Sequence, residues 1–187
     1  MRSLVAYELI SLDGVAEDPS TFFTTWDDEL DANLAAVIAT QDAVLLGRRS
    51  YDEWAQFWPD STVQPFADFI NAVPKYVATR GAPDLPWENS HRLGDDLPAE
   101  IARLRTDHAD VHVVRSIDFA RTLVAEGLFD VLNLWMYPIV LGAGKRLFPA
   151  EGGAHGLTLL EPPVAGSAGA IALRYGPGEP VRTGDMT

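Results

Sequence analysis

The chain has 187 residues, with 14 Lys and Arg against 27 Asp and Glu for a formal charge of −13, no cysteine and 47% hydrophobic residues. That length suits one domain with one large core, and zero cysteines exclude disulfides, thiolate metal sites and cysteine nucleophiles. Nucleic-acid binding draws its affinity from many Lys and Arg contacts, so this acidic excess argues against it and requires any anionic ligand to be met by a local cluster.

A first strand is expected over Leu4 to Ile10. The segment Met1 to Ile10 carries Arg2 and Glu8 and lacks the cationic, apolar and cleavage regions of a signal peptide. No apolar run approaches the roughly 18 residues of a membrane span, so no membrane contact and a cytoplasmic setting are expected. Ser11-Leu12-Asp13-Gly14 ends the strand and opens a loop of about a dozen residues reaching Trp26, long enough to serve as a lid over a ligand. Asp13-Gly14 reads equally as an ordinary turn.

Leu30, Leu34, Val37 and Ile38 share one face of a first helix. Asp31 stands one turn before Leu34 and Ala35, which puts its carboxylate on the buried side. Burial there would raise its pKa and fit it to donate a proton or to clamp an amidine-like group. The alternative is the dipole-complementing role of a first helical turn, as expected for Asp27 and Asp28.

The strand Ala43 to Leu46 runs into Gly47-Arg48-Arg49-Ser50 and a helix marked by Tyr51, Trp54 and Trp58. A helix N-terminus after a parallel strand offers unpaired N–H groups to phosphate, glycine admits the ligand to the backbone, and arginine adds paired donors. The other reading is a strand-to-helix turn whose arginines pair with surface acids. A strand at Tyr76 to Ala78 leads to Thr79-Arg80-Gly81. If the two strands are neighbours, Arg48 and Arg80 hold one phosphate between them; alone, Arg80 is a solvated loop residue.

A third helix carries Leu97, Ile101 and Leu104 with Pro98 in its first turn. After a strand at Val111 to Val114 comes a fourth, with Ser116 as N-cap, Phe119, Ala120, Leu123 and Val124 on its face and Gly127 past its end. The apolar run Val131 to Leu141 suits a strand buried on both faces, with Pro138 at a bend or an edge. Leu157 to Leu160 and Ile171 to Tyr175 have no helix between them and read as an antiparallel hairpin at the sheet edge, and Gly176 to Thr187 as a loose tail. Strand-helix alternation with right-handed crossovers makes this an α/β fold on a mixed sheet, a single domain over residues 1–187.

Three motifs fail. His91, His108, His112 and His155 form no metal-ligating spacing. Gly142-Ala143-Gly144-Lys145-Arg146 lacks the glycine of a phosphate-binding loop and reads as a turn with a solvated basic pair. No Gly-x-Ser-x-Gly elbow is present to support a serine hydrolase.

In order along the chain, Ser11-Leu12-Asp13-Gly14, Leu46-Gly47-Arg48-Arg49-Ser50-Tyr51, Pro74-Lys75-Tyr76-Val77, Gly127-Leu128-Phe129-Asp130 and Pro138 to Phe148 resemble the dihydrofolate reductase-like superfamily, in particular the bacterial branch related to the reductase domain of riboflavin biosynthesis. The resemblance implies a three-layer sandwich, mostly parallel with an antiparallel C-terminal hairpin. It implies NADPH held by Gly47, Arg48, Arg49 and Ser50 at the phosphates and by Thr79 and Arg80 at the adenosine end. Trp26 keeps the spacing of that family's lid tryptophan. Asp13 and Asp31 would face a pterin-like or flavin-precursor heterocycle that accepts a hydride. Two positions depart from the pattern: Val114-Arg115-Ser116 stands where a Gly-Ser is usual, and Asp130-Val131 where Asp-Glu is common. Arg115 either blocks the cofactor or, beside Ser116, adds a phosphate contact, and a backbone needing positive φ there would strain it. The alternative function is a non-catalytic ligand-binding protein on the same fold, its nicotinamide site altered by Arg115. The resemblance also implies a homodimer, with Trp135 and Tyr137 as candidate exposed residues.

Overall fold

The computed structural model describes residues 2–22, 27–81, 84–151 and 153–181. Trp26, the proposed lid residue, lies outside them. Along the chain run β1 (Ser3–Ser11), α1 (Asp28–Thr40), β2 (Ala43–Gly47), α2 (Arg48–Ala55), α3 (Phe66–Ala72), β3 (Lys75–Ala78), β4 (Ser90–Arg92), α4 (Leu97–Asp107), β5 (Asp110–Val114), α5 (Ile117–Ala125), β6 (Val131–Tyr137), β7 (Leu157–Leu159), β8 (Val164–Ala165) and β9 (Ile171–Pro177). They form one sheet in the order β4-β3-β2-β5-β1-β6-β9-β7, with β8 pairing β9. The first six strands are parallel, and β9 runs antiparallel to β6, β7 and β8.

Alternation along the buried strands divides the core. Ala43 and Leu45 of β2, with Leu4 and Ala6 of β1, pack beneath Ile101 and Leu104 of α4 and Phe119, Ala120 and Leu123 of α5. Val44 and Leu46 face the other way, under Tyr51 and Trp54 of α2 and Ile70 of α3. Farther along that second face, Leu30 of α1 joins Trp135, Tyr137 and Phe22. Helices on both faces of a buried parallel sheet give the expected α/β class.

Several boundaries differ from expectation. The long strand stops at Tyr137 because Pro138 has no N–H for the ladder, and the chain turns at once, Ile139 N donating to the Tyr137 carbonyl at 2.8 Å. Trp58 is not in α2, which ends at Ala55; it begins a short 3-10 turn and packs edge-on to Trp54 at 5.8 Å. The sequence reading missed α3, although Phe66, Phe69 and Ile70 between Pro65 and Pro74 carry its spacing. Its C-terminal carbonyls are capped by a buried cation: Lys75 Nζ donates to the carbonyls of Ile70, Asn71 and Val73 and lies 4.6 Å from the Trp87 ring. Also missed were the short strands β4 and β8. β9 continues through Gly176 and Pro177, so the segment expected as a tail begins in the sheet.

Trp135 and Tyr137 are 1% and 3% exposed, so neither is the exposed dimer contact expected of it. They point into the core beneath α1. Among the described residues no helix is long and apolar enough to cross a membrane.

Candidate active site

From β2 the chain proceeds through α2 and α3 to β3 on one side of the sheet. From β5 it proceeds through α5 toward β6 on the other. The carboxyl ends of these neighbouring strands therefore open a crevice, the place where α/β sheets bind ligands. Its two lips are tied together. Gly47 N donates to Ser116 Oγ at 2.8 Å, and Ser50 Oγ donates to the Arg115 carbonyl at 2.7 Å. Ser116 stands at the N-cap position of α5 but makes no side-chain cap; its hydroxyl bridges to β2 instead and donates to the Val114 carbonyl.

Above this junction lies a cleft of about 750 Å³, within the roughly 300–1,000 Å³ of small-molecule sites. Gly47, Arg48, Arg49, Ser50, Arg80, Arg115 and Ser116 all line it. Gly47 pairs with Ala78, so β2 and β3 are the neighbours that bringing Arg48 and Arg80 together requires. Thr79 is not among the lining residues; its hydroxyl reaches the Arg80 carbonyl at 3.4 Å. The N-termini of α2 and α5 both open here, adding unpaired N–H groups to four guanidinium side chains.

Four of the flanking cations lean on an acid. Arg48 bonds Asp52 at 2.8 Å, Arg49 bonds Glu53 at 3.0 Å, and Arg115 stands 3.8 Å from the same Glu53. Lys145 Nζ pairs with Asp118. Exposed pairs of this kind contribute little and give way to a stronger anion. Sequence reasoning missed Lys145 and Asp118: the expected solvated pair is instead ion-paired, Lys145 to Asp118 on the cleft wall and Arg146 to Asp13 at 3.2 Å.

Arg115 does not plug the cleft. Its backbone has φ +49° and its side chain, 43% exposed, lies along the wall. The positive φ is a conformation that glycine adopts without steric strain and in which arginine is strained.

The two expected catalytic carboxylates stand elsewhere. Asp13 accepts from Ser11 Oγ at 2.7 Å, Leu141 N at 3.1 Å and Gly142 N at 2.9 Å, besides its pair with Arg146. These hydrogen bonds, that from Ser11 foremost, hold its carboxyl well below the usual range. It fastens the end of β1 to the loop after β6. Asp31 is exposed on α1, not buried as helical spacing suggested, because only Leu30 of that helix is fully sequestered. Neither lines the cleft. Asp130, after which the pattern's glutamate is missing, accepts from Leu4 N and Arg105.

One acid the sequence reading passed over lies beneath the cleft. Glu8 of β1 is 4% exposed, and burial pushes its carboxyl up to about 8, against the Ser116 backbone hydrogen bond and the Arg115 charge. Among the described residues no group of three or more His, Asp or Glu side chains is placed to hold a metal.

A mostly parallel sheet with an antiparallel C-terminal strand pair, opening between two crossovers onto an arginine-lined cleft, is a dihydrofolate reductase-like fold. The chain belongs to the RibD C-terminal domain family, whose model matches residues 2–162. It is 24% identical over 152 residues to the uncharacterized protein YyaP of Bacillus subtilis, covering 79% of this chain and 80% of that one. The fold is similar to a putative riboflavin biosynthesis protein from Shewanella sp. PV-4, with TM-score 0.77 and 16% identity over 95% of this chain and 99% of the other. It is also similar to the Enterococcus faecalis dihydrofolate reductase complexed with NADP(H), with TM-score 0.61 and 15% identity over 95% and 97%. Family and neighbours together point to a reductase of the RibD and dihydrofolate reductase type.

Proposed function

We propose that this protein is an NADPH-dependent reductase acting on a small heterocycle. The observation that carries the reading is the convergence of Arg48, Arg49, Arg80 and Arg115 with two helix N-termini on one cleft at the sheet's switch point, in a molecule of net charge −13. When bound, the dinucleotide supplies a hydride. The chain's own residues bind and align: Gly47 lets a phosphate approach the backbone, Arg48 and Arg80 discriminate a 2′-phosphate, and Arg49 and Arg115 exchange Glu53 for phosphate oxygens. The Asp13 carboxylate, held by its four donors, keeps the β1 end in place, and Asp31 is assigned to the heterocycle.

The heterocycle would lie on the side of β1, α1 and β6. No Lys, Arg or His occurs between Arg2 and Arg48, or from Val131 to Gly144. Arg146, bonded to Asp13 at the end of β1, is the cation beside that side, and the acceptor is a pterin-like or flavin-precursor heterocycle. A binding protein without hydride transfer is the second reading, favoured by the absence of Asp13 and Asp31 from the cleft lining.

Calorimetry with NADPH and NADH tests the first reading, the expected result being saturable binding with NADPH the tighter. No binding of either at millimolar concentration overturns it. Tight NADPH binding without its oxidation by any pterin or aminopyrimidine would select the second.

A further inference from the structure

Glu8 is a titratable group that the reading above leaves unused. It sits on β1 between Ala6 and Ile10, on the face covered by α4 and α5, opposite Leu134 of β6. Its Oε1 is buried without a hydrogen-bond partner among the described residues. The surrounding core from β5, β6 and α5 is apolar, built of Val113, Leu134, Phe119 and Ala120. The first-turn acid of α5, Asp118, is 70% exposed and engaged by Lys145 and Arg121. What bears on the Glu8 carboxyl from above is the cleft floor itself, the Ser116 backbone and the Arg115 guanidinium.

We propose that Glu8 is a positioning residue for the anion cleft: its buried carboxyl, seated beneath the Arg115–Ser116 turn, governs how fully the Arg115 guanidinium is available to a bound phosphate. The inference rests on the cleft being a dinucleotide site. A carboxylate with an unpartnered buried oxygen is costly, so the group carries a proton at neutral pH. Among the described residues Arg115 then answers to Glu53 at the rim and to the ligand. As pH rises through about 8 the proton leaves, and the buried charge draws on Arg115 from below, in competition with the phosphate. The Arg115–Ser116 turn is tied to the start of α2 by the bonds from Ser50 Oγ to the Arg115 carbonyl and from Gly47 N to Ser116 Oγ, so the Arg115 side chain answers this pull without moving the turn.

Calorimetric titration with NADPH between about pH 7 and 9 reads the effect, since a phosphate monoester with its second pKa near 6 is already about 90% doubly ionised at pH 7 and gains little charge above it. Affinity of the wild-type protein is expected to fall about tenfold across it, within the usual span of coupling between sites. Glu8→Gln keeps the shape and removes the proton, and is expected to bind at all these pH values as the wild type does near 7. Arg115→Gln, which removes the group through which Glu8 acts, is expected to bind more weakly and without the slope; it decides the matter should Glu8→Gln not fold. A flat wild-type profile, or a slope that survives in either variant, overturns the role of Glu8 and leaves the reductase reading standing. Failure of NADPH to bind at any pH overturns both.

Discussion

Arg115 holds a left-handed backbone conformation that costs a non-glycine residue roughly 1–2 kcal/mol, whereas glycine at the same site loses about 0.5–1 kcal/mol of chain entropy. The difference favours glycine slightly. Arg115→Gly is therefore expected to stabilise the protein by about 0.5–1 kcal/mol, a rise of roughly 2–4 °C per kcal/mol in a thermal melt, while weakening NADPH binding several-fold. Improved stability together with improved affinity would show that the side chain obstructs the cleft. Glu8 makes a separate prediction at this scale. Its folded-state pKa is raised to about 8, so between the ordinary carboxylate range and that value the folded chain keeps a proton that the unfolded chain has lost. Its contribution to stability is complete at low pH and is lost as pH rises through about 8. The melting temperature of the wild type should fall relative to that of Glu8→Gln from about pH 5 to about 8 and run parallel to it above that; curves parallel throughout would show that Glu8 is charged in the fold.

The decisive contact between elements is the hydroxyl of Ser116. It receives Gly47 N from the end of β2 and so fixes the start of α2 against the start of α5. Ser116→Ala leaves that amide without its partner and should cost about 1–3 kcal/mol in chemical denaturation. NADPH affinity should fall with it. An unchanged affinity would mean that the lips of the cleft are set by something else. This contact was not legible in the chain order, where Ser116 reads as an ordinary N-cap, because its partner is 69 residues away. Likewise α3 is short, and its ending depends on Lys75 folding back over its carbonyls.

For the molecule as a whole, the charge of −13 repels a phosphorylated ligand at long range while a local cluster attracts it at short range. Exposed arginines are screened over about 8–10 Å near physiological salt. NADPH affinity should accordingly weaken as sodium chloride is raised from about 0.05 to 0.5 M, reflecting loss of the cluster's attraction; strengthening with salt would mean that the global repulsion dominates and that Arg48, Arg49 and Arg80 are not in contact with phosphate.

The order and class of the major elements could be read from the sequence because apolar period and punctuation are local: Gly127 takes φ +64° past α5, and Pro138 ends β6. So could the arginines that line the cleft after β2 and β3, since a residue at a strand's carboxyl end is placed by the strand. The carboxylates could not. Helical spacing puts Asp31 on the apolar side, yet α1 buries only Leu30 and leaves Asp31 exposed; Asp13 is claimed by amides of a loop that arrives about 130 residues later; and Glu8, unremarkable in a strand, is buried on the face that α5 covers. Local pattern dictates which backbone forms and where a strand ends. Whether a charge meets water, a partner or neither depends on what other segments pack against it, and that is decided only when the sheet has assembled.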